Sequence, residues 1–271
     1  MSSARKVILK EDVVFGTGGG SDLHCDVFIP PDTTAPARGL LLVHGGAWVV
    51  GDKSQLRGYG FLLGREGTVC VASEYRLAKN SQWPAQIHDV KAAIRWMRAN
   101  ADELGIDPER IAVCGASSGA HLALMAAGSG DRPELEGSGG NAAASSRVAA
   151  AVSFYGPTEL EPGGEMLKDS VAQLLGTDPG PEVFKQASPV TYVTAGYPPT
   201  MLMHSNQDEL VPREQSVAFA EALNRLGVPV ELHLFDNVPH MFDGSKRLGR
   251  QAAYMVNSFL QRYLPDLESE E

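Results

Sequence analysis

From residue 40 onward, the chain alternates short apolar runs with longer amphipathic segments. Most of these runs lack the polar–apolar alternation of a half-exposed strand, which is typical of strands buried on both faces. The six predicted strands are Leu40–Val43, Val69–Ser73, Ile111–Cys114, Ala149–Phe154, Thr200–His204 and Val230–Phe235.

The segments between these runs have helical periodicity. In Trp83–Asn100 the apolar residues Ile87, Val90, Ile94 and Met97 recur close to the period of a helix. The other predicted helices are Ser118–Ala127, Glu214–Leu226 and Lys246–Leu264. Strands that alternate with helices predict an α/β fold with a mostly parallel central sheet, and the right-handed crossover rule places helices on both faces of that sheet.

The N-terminal part of the chain has a different pattern. Two short β-prone runs, Val7–Phe15 and Leu23–Pro30, flank a glycine-rich turn at residues 16–22. Such runs separated by a turn predict an antiparallel hairpin. The glycines lack the spacing of a phosphate-binding loop and no helical pattern follows them, so nucleotide binding is not favoured here.

Composition and charge exclude several classes of function. The chain has 271 residues, 43 % of them hydrophobic, and a net charge of −10. This length fits a single domain over residues 1–271, and the acidity argues against nucleic-acid binding, which needs a basic face. No apolar stretch is long enough for a membrane span or a signal peptide. We therefore expect a cytoplasmic protein in which Cys25, Cys70 and Cys114 are buried free thiols.

A nucleophile motif lies between the third apolar run and the helix that follows it. Residues 115–119 read Gly-Ala-Ser-Ser-Gly, which matches G-x-S-x-G in its strand-to-helix context. Such a turn lifts the hydroxyl of Ser117 above the sheet edge, while the flanking glycines keep Cβ atoms away from the neighbouring strand and helix. The helix N-terminus favours developing negative charge. We therefore predict that Ser117 is a catalytic nucleophile.

A second motif, His-Gly-Gly-Ala-Trp at residues 44–48, directly follows the first of the six strands. Acyl transfer places negative charge on a carbonyl oxygen, and glycines let backbone N–H groups approach that oxygen. The predicted oxyanion-hole donors are the N–H groups of Gly46, Ala47 and Ser118. His44 is expected to be structural. Trp48 either lines the substrate site or packs into the core, and we take it as a candidate substrate-binding residue.

A serine nucleophile needs a base and an acid, which follow it along the chain in this type of turn. Six of the seven histidines are disfavoured because they precede the serine, lie in its own helix or lie within predicted strands. His240, in the loop after the last strand, is the predicted base. Asp208, after the Thr200–His204 strand, is the predicted acid, and the adjacent Glu209 is its rival. Asp236 is expected to cap or turn the chain.

Several motifs together resemble the α/β-hydrolase carboxylesterases, in particular the hormone-sensitive-lipase-like and feruloyl-esterase-like families. Beside the motifs above, the matching segments are Tyr75–Ala78 with Pro84 and Asp89, Gly105–Ile111, Ala120–Ala123, Val211–Pro212 and Phe242. They run from about the third strand to the last helix. The resemblance implies the α/β-hydrolase fold and a serine carboxylesterase with Ser117, Asp208 and His240 as its catalytic triad.

The sequence departs from the larger family members in two places. Residues 45–48 read Gly-Gly-Ala-Trp instead of three consecutive glycines, and the 43 residues before His44 are few for N-terminal cap helices. Both differences point to the small, lightly capped esterases. The resemblance also implies that Arg76 and Asp89 are structural.

Two segments, 128–147 and 157–198, fit neither pattern. The first follows a helix of about ten residues, which places it roughly 15 Å from the nucleophile, so we expect it to be remote from the site. The second leaves the carboxyl end of the Ala149–Phe154 strand, the edge at which such sites lie. We predict that 157–198 forms a small lid or acyl-pocket wall with a short helix around Glu165–Leu175, and that Tyr155 is a candidate substrate-binding residue.

The expected function is hydrolysis of short-chain carboxylic esters through an acyl-enzyme intermediate, with a small-molecule ester as partner. No metal or organic cofactor is expected, because this chemistry needs none and the histidines lack metal-binding spacing. An arylformamidase-like or peptidase-like amide hydrolase is the alternative on the same triad. A catalytically inactive binding module on the same fold is the more remote one. A homodimer is compatible with the sequence.

Overall fold

The structure, a computed structural model, describes residues 6–31, 36–130, 132–161 and 164–265. The strands of these residues are β1 (Ile8–Gly18), β2 (Ser21–Ile29), β3 (Ala37–Val43), β4 (Val69–Ser73), β5 (Ile106–Ala116), β6 (Ala150–Phe154), β7 (Thr200–Ser205) and β8 (Val230–Phe235). They form one sheet in the order β1-β2-β4-β3-β5-β6-β7-β8. The β1–β2 and β2–β4 pairs are antiparallel and the remaining pairs are parallel. This topology confirms the predicted α/β fold with its N-terminal hairpin.

Helices cover both faces of the sheet. They are α1 (Arg57–Gly64), α2 (Ala85–Ala99), α3 (Ala101–Leu104), α4 (Ser118–Gly128), α5 (Lys168–Leu175), α6 (Pro181–Gln186), α7 (Glu214–Arg225) and α8 (Lys246–Tyr263). In β3, Leu41 and Val43 belong to an apolar cluster with α2, α4 and α7, whereas Leu40 and Leu42 belong to a second cluster with α1 and α8. Central strands such as β3 and β4 are buried throughout because successive side chains point into opposite cores. Among the described residues, no helix is long and apolar enough to cross a membrane.

Helix α1 and the start of β5 differ from the sequence prediction. The pattern did not predict α1, because three of its eight residues are glycines, which weaken the helical signal. One of them is required by packing, since a Cβ at Gly60 would lie 2.6 Å from the ring of Phe28. After α2 the short helix α3 ends at Gly105, whose φ of 67° suits glycine. Strand β5 therefore begins at Ile106, earlier than the predicted start at Ile111.

The segment 157–198 contains α5 and α6 and is joined to the body of the fold by hydrogen bonds of its backbone. The N–H of Trp83 donates to the carbonyl of Leu174 (2.8 Å), and the N–H of Thr158 donates to Oε1 of Gln215 in α7 (2.8 Å). Helix α5 coincides with the helix predicted around Glu165–Leu175. The segment therefore starts at the carboxyl edge of the sheet, where β6 ends, and leads to the amino edge, where β7 begins.

The glycine- and serine-rich segment 128–147 packs against α2 around one carboxylate. Glu136 pairs with Lys91 (2.6 Å) and with Arg95 (2.8 Å), and both cationic side chains are almost completely buried. The N–H of Thr17 in β1 also donates to the carbonyl of Gly139 (3.1 Å). These contacts explain how a segment without an apolar pattern is held on the fold.

Candidate active site

Ser117 lies at the turn between β5, which ends at Ala116, and α4, which begins at Ser118. Its backbone has a φ of 53° and a ψ of −120°, a conformation that residues with a side chain rarely adopt. A hydrogen bond from its N–H to the carbonyl of Phe154 (2.8 Å) holds it there. Backbone strain that the surrounding structure maintains is typical of functional sites.

Two glycines make this turn possible. A Cβ at Gly115 would lie 2.2 Å from the carbonyl oxygen of Gly119, and a Cβ at Gly119 would lie 2.1 Å from the carbonyl oxygen of Val43. Both distances are far below van der Waals contact, so neither position accepts a side chain. The turn consequently packs directly against the end of β3, where the loop of residues 44–48 begins.

The structure places the three predicted triad side chains in one chain of polar contacts. Nε2 of His240 lies 3.1 Å from Oγ of Ser117, and Nδ1 of His240 lies 2.6 Å from Oδ2 of Asp208. A carboxylate only accepts, so Nδ1 carries the hydrogen and Nε2 is free to accept the serine hydroxyl. Ser117 and His240 are each only 8 % exposed, so this contact is largely shielded from water.

The carboxylate of Asp208 is fixed by several donors. Its Oδ1 accepts from the N–H groups of Leu210 (3.0 Å) and Val211 (2.9 Å). Its Oδ2 contacts Nε2 of His204 (3.3 Å) as well as His240. Burial alone would raise the pKa of Asp208, but the polar contacts from His204, His240 and Val211 outweigh burial and hold that pKa well below its ordinary value. The group is therefore ionised at neutral pH.

Neither of the other two candidate carboxylates, Glu209 and Asp236, contacts the imidazole of His240. Glu209, the rival acid, is exposed and its Oε2 lies 3.4 Å from the backbone nitrogen of His240, not from the imidazole. Asp236 is exposed at the end of β8. His204 is completely buried in β7, and its contact with Asp208 was not predicted from the sequence. No sequence periodicity signals that contact, although His204 precedes Asp208 by four residues.

The loop of residues 44–48 is a tight turn that contains three successive residues with positive φ. Gly46, Ala47 and Trp48 have positive φ values of 117°, 51° and 63°. The carbonyl of Gly46 accepts the N–H groups of Val49 and Val50, both at 3.0 Å, which turns the chain back on itself. A Cβ at Gly46 would lie 2.0 Å from the carbonyl oxygen of Val50, so glycine is required there.

Three N–H groups near the serine lack an intramolecular acceptor. Within the described ranges, those of Gly46 and Ala47 donate no hydrogen bond, and Ser118 is the first residue of α4, where helical partners are missing. The loop runs beside the nucleophile, because a Cβ at Gly45 would lie 3.5 Å from Cβ of Ser117. These are the three donors that the sequence predicts for an oxyanion hole.

The side chain of Trp48 packs into the core, which resolves the alternative that the sequence left open. Trp48 is fully buried, and its Nε1 donates to Nδ1 of His121 at 3.2 Å. Nε2 of His121 in turn donates to the carbonyl of Ala187 at 2.6 Å. The indole therefore supports the loop from the core side and is not accessible to a substrate. This position differs from the substrate-binding role that we expected for Trp48.

Tyr155 contacts the imidazole but is itself buried. Its ring centroid lies 4.5 Å from that of His240 at an interplanar angle of 62°. Its hydroxyl donates to Asp243, and Tyr59 donates to the other oxygen of the same carboxylate at 2.9 Å. Burial, together with the nearby Asp243, raises the pKa of Tyr155 well above its ordinary value, so the phenol remains a donor. Sequence reasoning did not find Tyr59 or Asp243.

His44 occupies the structural place predicted for it. The imidazole is 1 % exposed, stacks on the ring of Tyr75 at 4.2 Å and lies with Nδ1 2.7 Å from the carbonyl of Gly45. The predicted structural pair also forms. Nη2 of Arg76 lies 2.7 Å from Oδ1 of Asp89, and the carboxylate of Asp89 also accepts the backbone N–H of Arg76. Neither pair contacts Ser117 directly through the hydrogen bonds found in the described residues.

A mostly parallel sheet with a serine on the tight turn after β5, and a carboxylate and an imidazole on the loops after β7 and β8, defines an α/β-hydrolase. The order of the three side chains along the chain is also that of this fold. The chain belongs to the BD-FAE family, whose model matches residues 25–223.

Several known proteins with similar sequences or structures are esterases. Esterase LipQ of Mycobacterium tuberculosis is 35 % identical over 92 % of this chain, which spans 61 % of the length of that relative. The structure of Thermogutta terrifontis Est2 with propionate bound has a TM-score of 0.82 and 27 % identity, covering 99 % of this chain and 98 % of that one. The structure of T. terrifontis esterase 2 phosphonylated by sarin has a TM-score of 0.84 and 26 % identity, with the same coverage.

Proposed function

We propose that this chain is a serine carboxylesterase that hydrolyses short-chain carboxylic esters of small molecules. The observation that carries the proposal is the imidazole of His240, which lies 3.1 Å from Oγ of Ser117 and 2.6 Å from the carboxylate of Asp208. The esterase relatives support the reaction class. The propionate bound to Est2 supports a short acyl group.

Each of the three side chains has a defined role in this reaction. Oγ of Ser117 attacks the ester carbonyl while Nε2 of His240 takes its proton. Asp208 holds Nδ1–H, which fixes the tautomer, and stabilises the imidazolium that forms. The imidazolium then protonates the leaving alcohol. Water, activated by the same nitrogen, releases the acid from Ser117.

The oxyanion of the tetrahedral intermediate is stabilised by preorganised donors. We assign this role to the N–H groups of Gly46, Ala47 and Ser118, which have no intramolecular acceptor among the described residues. Donors that already point at the developing charge cost no reorganisation, and the loss of one such donor typically costs about 3 kcal/mol of barrier. The helix α4 adds the positive end of its dipole beneath the site.

We also propose that the segment 157–198 is a small lid or acyl-pocket wall within one domain. It starts two residues after Tyr155, and its Ala187 carbonyl accepts from His121, which accepts from Trp48 of the oxyanion loop. Replacement of half-buried Met166 and Leu167 by serine is expected to change the ratio of kcat/KM for butyrate and acetate esters. An unchanged ratio would contradict this role.

The experiment that tests the proposed function combines labelling with turnover. A fluorophosphonate probe is expected to label the wild type and Ser258→Ala, a variant at an exposed serine of α8, but not Ser117→Ala. The wild type and Ser258→Ala should also hydrolyse an aryl acetate, whereas Ser117→Ala should not. Labelling of Ser117→Ala at the wild-type rate would refute the assignment of Ser117 as the nucleophile. If the wild type hydrolyses the matching aryl formamide or anilide faster than the ester, the proposed function would be amide hydrolysis instead of ester hydrolysis.

A further inference from the structure

One half-buried carboxylate, that of Asp243, accepts hydrogen bonds from two tyrosines beside the proposed catalytic base. Its Oδ1 accepts the hydroxyl of Tyr155, and its Oδ2 accepts the hydroxyl of Tyr59 at 2.9 Å. Burial, together with the nearby carboxylate, raises the pKa of both phenols well above the ordinary value, so both remain donors. The proposed chemistry uses none of these three side chains, so their arrangement calls for another explanation.

The three side chains come from three different elements of the fold. Tyr59 lies in α1, and Tyr155 directly follows β6. Asp243 lies three residues after His240 in the base loop, which we define as residues 236–245 between β8 and α8. The two hydrogen bonds of the carboxylate therefore tie the base loop to helix α1 and to the end of β6.

The ring of Tyr155 lies against the base loop. Its centroid is 4.5 Å from that of His240 at an interplanar angle of 62°, and 5.5 Å from that of Phe242 at 76°. The backbone N–H of Tyr155 donates to the carbonyl of Met203 at 2.7 Å, which fixes the start of this side chain. The bond from its hydroxyl to Asp243 fixes the other end, so the ring is held at both ends beside the imidazole.

The imidazole needs a second contact because its bond to the triad carboxylate leaves one motion free. Nδ1 of His240 lies 2.6 Å from Oδ2 of Asp208, but the ring can still turn about this bond. Such a turn would direct Nε2 away from Oγ of Ser117, which lies 3.1 Å from it. The ring of Tyr155 limits this turn. A displacement of reacting groups by 1 Å can cost about a hundredfold in rate, so even a small turn matters.

We propose that Asp243 is a positioning residue for ester hydrolysis, because it holds the ring of Tyr155 against the imidazole of His240. The tyrosine ring in turn keeps Nε2 directed at Oγ of Ser117. This inference rests on the proposed esterase function, in which His240 is the base. The carboxylate acts through Tyr155 and not on the ester, so its loss should lower kcat and leave KM near the wild-type value.

A double-mutant cycle in the hydrolysis of phenyl acetate tests the proposal. Tyr155→Phe keeps the ring and removes its hydroxyl, whereas Asp243→Ala removes both acceptor oxygens. Each variant is expected to lower kcat about tenfold, well within the effect of a small displacement of the base. Because Asp243 acts through Tyr155, the double variant should be no slower than the slower single variant, whereas independent effects would multiply to about a hundredfold.

Thr68 provides a matched control for the loss of a buried hydroxyl. Its Oγ1 accepts Nε–H of Arg38 at 2.9 Å, and it directly precedes β4 at the amino edge of the sheet, away from Ser117. Thr68→Val should lower the melting temperature and keep the kcat of the wild type. Asp243→Leu, in which the side chain keeps its shape but has no acceptor, repeats the cycle if the alanine variant does not fold.

The outcomes distinguish the inference from the proposed function. If the wild type is active and the variants at Asp243 and Tyr155 keep its kcat, or if their effects multiply in the double variant, the positioning role is overturned alone. An equal loss of kcat in Thr68→Val would also overturn it, since destabilisation of the fold would then explain the effect. A wild type that neither hydrolyses phenyl acetate nor reacts with the fluorophosphonate would overturn the esterase function and this inference with it.

Discussion

Nε1 of Trp48 donates to Nδ1 of His121 at 3.2 Å, which joins the oxyanion loop to the helix that carries the nucleophile. An indole nitrogen only donates, so Nδ1 of His121 carries no hydrogen. The hydrogen of this imidazole is on Nε2, which donates to the carbonyl of Ala187 at 2.6 Å. A single neutral tautomer thus connects the loop, helix α4 and the segment 157–198.

This neutral imidazole predicts a pH dependence of stability. Burial lowers the pKa of His121 from 6.5 to about 4. Between these values the unfolded chain binds a proton that the folded chain does not, so the contribution is complete above pH 6.5 and is lost as the pH falls towards 4. The loss is on the order of 3 kcal/mol.

Urea unfolding between pH 7.5 and 4.5 measures this effect. His121→Asn should be much less stable than the wild type at pH 7.5, and the difference in the free energy of unfolding should shrink as the pH falls. Ser258→Ala, at an exposed serine of α8 that carries no titratable group, provides the control and should give a difference that does not change with pH. A constant difference for His121→Asn would contradict the neutral tautomer.

A second prediction concerns His204, whose Nε2 lies 3.3 Å from Oδ2 of Asp208 and 2.9 Å from the carbonyl of Val211. We expect His204→Leu to lower kcat about tenfold with little change in KM, because a contact to a charged group is typically worth about 1.5 kcal/mol or more. Glutamine retains an N–H donor, so His204→Gln should keep most of the activity.

A matched variant separates this positioning role from simple stability. Nδ1 of His204 lies 2.7 Å from Oγ of Ser216, and this bond does not involve Asp208. Ser216→Ala should therefore lower the melting temperature while kcat of the folded enzyme stays near the wild-type value. If His204→Leu and Ser216→Ala reduce kcat equally, His204 has no specific effect on the carboxylate.

A third prediction follows from the buried charges that hold segment 128–147. Lys91 is completely buried and pairs with Glu136 at 2.6 Å, and burial lowers the pKa of Lys91 in spite of this partner. Glu136→Gln leaves the ammonium without a counter-charge, which is expected to cost about 3–5 kcal/mol. Glu134→Gln, at an exposed position nearby, should change the free energy of unfolding by less than about 0.5 kcal/mol. Equal effects in thermal unfolding would argue against the buried pair.

The features that the sequence predicted are those encoded locally. The apolar runs determine the strands, and Ser117, Asp208 and His240 each follow a strand end, so their meeting follows from the topology. The places of Trp48 and Tyr155 depend on contacts with residues 73 and 88 positions away, His121 and Asp243. Sequence periodicity does not encode such long-range contacts, so the burial of both aromatic rings could not be predicted and is known only from the packing in the structure.

The last prediction tests the tight packing of the nucleophile turn with two glycines. At Gly119 a Cβ would lie 2.1 Å from the carbonyl oxygen of Val43 and 2.3 Å from that of His44, whereas at Gly58 in α1 nothing lies within 4 Å. Gly58→Ala is expected to stabilise the fold by up to about 1 kcal/mol, since alanine is the better helix former. Gly119→Ala must push β3 and α4 apart, which should destabilise the fold by about 3 kcal/mol and displace the oxyanion loop. Thermal unfolding and aryl acetate turnover measure both effects. A Gly119→Ala enzyme with wild-type stability and kcat would mean that the turn can relax without moving the loop, and the steric basis of the nucleophile geometry would have to be abandoned.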